Sequence, residues 1–139
     1  MSKEALIEGL NEDLAAELGT IIRYNYQASQ CFGPGGAALR HMFEAEIRDE
    51  IGHARFLSDM IADLGGEPTT QPKQFDKPKG LKAMLELDIK MEEADVQSYM
   101  KHAELADKLG LVELKIKLEE IAAEEAGHAR SLGRLVKGL

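Results

Sequence analysis

Gly65-Gly-Glu-Pro-Thr-Thr-Gln-Pro-Lys-Gln-Phe-Asp-Lys-Pro-Lys-Gly80 is the stretch that decides how this chain folds. Three of the four prolines stand in it, at 68, 72 and 78. Proline lacks the amide a helix needs and clashes with the preceding turn, so no helix runs through this segment. Fully extended, it could reach roughly 50 Å. Outward in both directions the sequence turns to Ala, Leu, Glu, Lys and Met, the good helix formers. Upstream, Cys31-Phe-Gly-Pro-Gly-Gly36 makes a second break. Downstream, Asp107-Lys-Leu-Gly-Leu111 makes a third, where Gly110 suits the left-handed conformation that ends a helix. The pattern predicts four helices, over 3–31, 37–64, 81–108 and 111–137, with Ser2 capping the first. Each would be roughly 40 Å long. Short turns fold helices 1–2 and 3–4 into antiparallel hairpins, and only the 65–80 loop is long enough to cross the full length between them. The expected class is all-α: a single domain over 1–139, a four-helix bundle of two hairpins joined by a long crossover loop.

Composition narrows the function. The 139 residues carry 25 acidic and 17 basic side chains, a formal charge of −8, with no basic arm at either end. Phosphate neutralisation needs clustered Lys and Arg, so no nucleic-acid partner is expected. No run of about 18 uncharged apolar residues is present, so no membrane partner is expected either. The start, Met1-Ser2-Lys3-Glu4, has no apolar stretch of the signal-peptide kind. The single cysteine, Cys31, excludes an internal disulfide framework and a cysteine-cluster metal site. Both readings suit a cytoplasmic protein.

A shift of 75 residues superposes the two hairpins. Glu50-Ile-Gly-His-Ala-Arg-Phe-Leu57 falls on Glu125-Ala-Gly-His-Ala-Arg-Ser-Leu132, identical at six of eight positions. Glu17 falls on Glu92, and Tyr24 on Tyr99. The seam of helix 1 reads Leu10, Leu14, Glu17, Ile21, Tyr24, Ala28, and that of helix 3 reads Leu85, Ile89, Glu92, Val96, Tyr99, Ala103. Each is a core-facing stripe that includes one carboxylate. Glu93 lies with Glu86, Lys90 and Gln97 on a polar face, so Glu92 is the inward acid. In helices 2 and 4 the i, i+3 spacing stacks Glu50 over His53 and Glu125 over His128 on inward faces.

Glu17 and Glu50 are nearly equidistant from the 31–36 turn, and Glu92 and Glu125 from the break near 108–110. Folding each hairpin therefore brings its acids to one level. Four carboxylates and two imidazoles gathered inside a bundle need positive charge, because buried like charges without it cost several kcal/mol each. Two metal ions supply it: Glu50 and Glu125 bridging, Glu17 with His53 on one ion, and Glu92 with His128 on the other. Oxygen and imidazole donors without thiolate suit iron or manganese. Tyr24 and Tyr99, two turns from a ligand, are placed to hydrogen-bond carboxylates of the opposite hairpin.

With these six ligands and Tyr24 at such spacing, the sequence resembles the ferritin-like di-iron carboxylate superfamily over essentially its whole length. It is most similar to bacterioferritin, with the rubrerythrin bundle next. The resemblance implies a ferroxidase-type di-iron oxidoreductase that oxidises Fe(II) with dioxygen or hydrogen peroxide, for iron storage or detoxification. It also implies a homo-oligomer, dimer or larger. It adds Glu46 and Asp49 as accessory acids on the path of iron. Bacterioferritin holds haem through a Met just after the helix 2 Glu; here that residue is Ile51, so haem is not expected. Nor is the short fifth helix of shell-forming relatives, since the sequence stops directly after helix 4. The rubredoxin-like domain of rubrerythrins needs four cysteines, which this sequence lacks. The alternatives are a rubrerythrin-like peroxidase, a di-manganese catalase-like enzyme and, from another class, a metal-stabilised helical interaction module.

The remaining motifs read more plainly. His41 and His102 are expected on the surface, Cys31 as an inert small residue, and Met60, Met84, Met91 and Met100 as core filler. Lys73, Lys77, Lys79 and Lys82 make a solvated basic loop. Arg55 and Arg130, just beyond the histidines, fit surface exposure and pairing with a carboxylate equally well.

Overall fold

The computed structural model describes residues 2–139. Their regular elements are α1 (Lys3–Ser29), α2 (Gly33–Asp63), α3 (Leu81–Lys108) and α4 (Val112–Lys137). The third covers the expected residues, and the others differ at their ends for local reasons. The amides of Gln30 and Cys31 turn back three residues, to the carbonyls of Gln27 and Ala28, and so tighten and close α1 early. Helix α2 begins at Gly33, four residues ahead of expectation. Pro34 in its first turn brings a helical φ and has no amide to leave unpaired. The Gly36 amide then bonds the Phe32 carbonyl at 3.2 Å, so glycines that read as a turn form the first turn of helix. Ser2 does cap α1, its Oγ accepting the Ala5 amide at 3.1 Å.

Helices α2 and α3 end alike. The Gly66 amide bonds the Ile61 carbonyl and the Leu111 amide bonds that of Ala106, both at 2.9 Å. Gly65 and Gly110 make these closures possible at φ 90° and 74°, where a β-carbon would be strained.

The chain divides into two compact units: Asn11–Asp76, and the residues up to Leu10 with Lys77–Leu139. In the first, α1 and α2 lie side by side. The Tyr24 ring stacks on Phe43 with centroids 5.3 Å apart, and Leu14, Leu57 and Ile61 are buried. The segment after α2 then folds back onto α1, where the Lys73 amide donates to the Ala15 carbonyl at 2.8 Å. In the second unit α3 and α4 pack along each other, burying Leu85, Ala103, Leu118 and Leu132.

Two surface-or-core expectations are corrected here. His102 is only 2% exposed, not a surface residue: Gly9, in the same unit, has no side chain, and the imidazole fills that space. Met100 is 45% exposed and is not core filler, whereas Met84 is buried. His41 is exposed, as expected, and Cys31 is a buried free thiol.

Candidate metal centre

Each unit carries one set of ligand-type side chains. In the first, Glu17 comes from the middle of α1, and Glu50 and His53 from successive turns of α2. Both glutamates are fully buried and His53 nearly so. The imidazole Nδ1 lies 3.4 Å from Glu17 Oε2 and 3.8 Å from Glu50 Oε1. In the second, Glu92 comes from α3, and Glu125 and His128 from α4. His128 Nδ1 lies 3.9 Å from Glu92 Oε2 and 3.6 Å from Glu125 Oε1. Within each triad, one donor atom per residue lies within 4.8 Å of the others. Two acids and an imidazole converging at that spacing, with the acids closed off from solvent, suit one hard or borderline cation per triad. The helical periodicity places these residues on core-facing seams, with Leu14 buried one turn from Glu17 and Leu57 one turn from His53.

Around the first triad, Tyr24 is buried between two partners. Phe43 stacks against its ring, and the Arg23 guanidinium sits 5.0 Å from its centroid. Tyr99 is buried in the other unit. Glu92 is fully buried while Glu93 is exposed, in line with the sequence pattern. The two accessory acids part company: Glu46 is buried on α2 and Asp49 is exposed. Arg55 and Arg130 are both exposed.

Sequence reasoning missed other buried polar groups: Asp13, Arg23, Gln27 and Asp88, with His102. The 75-residue repeat held a signal for most of them. It maps Asp13 onto Asp88 and Gln27 onto His102, and each aspartate stands four residues before a triad glutamate, on the same helix face.

The Ferritin-like domain family matches residues 7–139. The chain belongs to that family. A ferritin-like, diiron-carboxylate protein from Bacillus anthracis superposes with a TM-score of 0.95 at 42% identity, covering 98% of this chain and 99% of that one. The bacterioferritin of Desulfovibrio desulfuricans, solved with its diiron site in different catalytic states, superposes with a TM-score of 0.90 at 26% identity, over 97% of this chain and 80% of that one. A bacterioferritin of Brucella melitensis is 32% identical over 126 residues, 88% of this chain and 77% of the relative. The fold is thus the ferritin-like four-helix bundle, all-α, and the family places the chain close to bacterioferritin. Among the described residues, no helix is long and apolar enough to cross a membrane.

Proposed function

We propose that the two triads act together, in one ferritin-like domain, as a dinuclear ferroxidase-type centre. Fe(II) is its substrate and dioxygen or hydrogen peroxide its electron acceptor. The observation that carries this reading is the pair of Glu-Glu-His triads, each complete with one imidazole and two fully buried acids. Membership of a family that includes diiron-carboxylate proteins supports it. Glu17, Glu50 and His53 would hold one ion and Glu92, Glu125 and His128 the other, with Glu50 and Glu125 shared, so that each metal would have a carboxylate-rich set with one imidazole. Such a set supplies one-electron redox chemistry between ferrous and ferric iron, and its negative charge favours the ferric product.

The protein's own groups do the rest. Glu17 with His53, and Glu92 with His128, act as the terminal holders of the two ions. Tyr24 and Tyr99 donate hydroxyl hydrogen bonds that orient ligand carboxylates. Glu46 serves as an accessory acid that passes iron along; Asp49, at the surface, gathers it. Excess surface acid draws cations in. We assign the protein to the cytoplasm as a homo-oligomer, with no haem.

Anaerobic titration with Fe(II), followed by air or peroxide, tests the reading. Two ions taken up per chain and a ferric absorbance on oxidation are expected; uptake of one ion or none would refute the dinuclear centre. The same donors accept manganese, so metal analysis of the protein from its native cells separates ferroxidase from di-manganese catalase chemistry.

A further inference from the structure

One face of α1 departs from its repeat partner on α3 in a way that the metal chemistry does not explain. Residues 11, 15 and 19, one face of α1, are Asn, Ala and Gly; their counterparts on α3, residues 86, 90 and 94, are Glu, Lys and Ala. The α3 set is exposed throughout. The α1 set is covered, because the segment after α2 lies along it. Asn11 grips that segment twice: its Nδ2 donates to the Glu67 carbonyl at 3.1 Å, and its Oδ1 accepts the Thr69 amide at 2.8 Å. Two turns further along α1, the Lys73 backbone rests flat on the helix. Its amide donates to the Ala15 carbonyl at 2.8 Å, and a β-carbon at Gly19 would stand only 2.5 Å from its carbonyl oxygen. The absent side chain at 19 is therefore what lets the backbone approach.

These anchors bracket Glu17. Ala15 and Gly19 lie two residues to either side of it, about 200° around the helix, so they form the back of the turn whose front carries the ligand. We infer that the 67–73 segment is a clamp that positions Glu17: the backbone of Lys73, seated by Asn11 and Gly19, fixes the rotation and depth of this turn against α2. The α3 turn carrying Glu92 has an exposed back and no such clamp among the described residues. The two triads are accordingly unequal, the first held rigidly and the second more yielding. This inference rests on the metal-binding role assigned to the triads above.

The test uses the full chain with Asn11→Ala and Gly19→Ala, and Asn11→Asp as the conservative variant. Amide hydrogen exchange without metal reads the clamp directly. Both disruptive variants should speed exchange across residues 16–21 by about tenfold, the scale of one lost hydrogen bond, and leave residues 91–96 unchanged. Asn11→Asp keeps the acceptor for Thr69 and should restore most of the protection. Cobalt(II) titration then reads the consequence: one of two binding steps should weaken by about tenfold and the other should not move. Unchanged exchange at 16–21, or equal acceleration at 91–96, would overturn the clamp. Loss of affinity at both steps alike would overturn its selectivity for Glu17. Wild-type protein that takes up no cobalt would count against the metal centre instead, while the exchange result still decides the clamp.

Discussion

His53 on α2 meets Glu17 on α1 with 3.4 Å between Nδ1 and Oε2, and the two side chains are 8% and 0% exposed. The repeat-related pair, His128 and Glu92, stands at 3.9 Å, with the imidazole 15% exposed. The same sequence pattern has therefore produced a tighter, drier ligand pair in the first half. Less water competes there, and less reorganisation precedes metal binding.

Removing one histidine at a time should expose that difference. His128→Ala keeps the first triad, with its closer pair and drier imidazole, and His53→Ala keeps the second. Isothermal titration with cobalt(II) should find the ion left in His128→Ala bound about tenfold more tightly than the ion left in His53→Ala. Equal affinities, or the reverse order, would show that the geometry does not set metal strength.

The two acids proposed to bridge the ions should be dispensable for folding and essential for activity. Glu50 and Glu125 are both fully buried, so ionised carboxylates there are costly when no metal is present. The double variant Glu50→Ala with Glu125→Ala should lose iron oxidation altogether. Its metal-free form should melt no lower than metal-free wild type, and circular dichroism should show intact helices. Collapse of the helices would mark a purely structural site.

Much of this is legible in the sequence alone, and the reasons are physical. Glu-x-x-His at i, i+3 dictates a shared helix face, so Glu50 with His53 and Glu125 with His128 could be placed by spacing alone. Glu17 and Glu92 followed from seam periodicity. Chain ends of helices were harder. Pro34 and its glycines read as a turn, because the rule that such residues break helices ignores their fitness for a first turn. Buried polar residues were hardest. Arg23 stands between Ile22 and Tyr24, where no periodic signal marks a cation, yet it is fully buried with its guanidinium 5.0 Å from the Tyr24 ring centroid. His102 is buried because of a glycine 93 positions earlier in the chain, a pairing that only the tertiary fold reveals.

Cys31 gives a prediction about alkali. Burial pushes its thiol above the ordinary value of 9.0, with Arg40 pulling part of the way back. The folded state thus prefers the neutral thiol, which contacts the Gln27 carbonyl at 3.4 Å. Below pH 9.0 both folded and unfolded chains keep the proton and nothing is lost. As pH rises past that value, the unfolded chain releases a proton that the folded chain retains, so stability falls until the raised folded value is passed. Urea unfolding from about pH 8 to about pH 10 should show a steeper decline for wild type than for Cys31→Ala. Parallel declines would mean the thiol ionises as freely in the folded protein as in the unfolded chain.

Gly9 supplies a substitution whose sign should reverse with its neighbour. In an exposed helix interior, Gly→Ala stabilises by about 1 kcal/mol. Here the new methyl group would overlap the His102 imidazole at Nε2 and Cδ2, in a region where that ring is almost completely buried. Displacing a packed side chain costs about 1–3 kcal/mol, so Gly9→Ala should destabilise the protein by about 1 kcal/mol or more despite the better helix former. In the background of His102→Ala the obstruction is gone, and the same Gly9→Ala should stabilise by a few tenths to about 1 kcal/mol. Chemical denaturation midpoints of the four proteins in this cycle measure both signs. A stabilising Gly9→Ala in wild type would show that the imidazole swings clear at little cost, and that His102 is held by its other neighbours rather than by the space above Gly9.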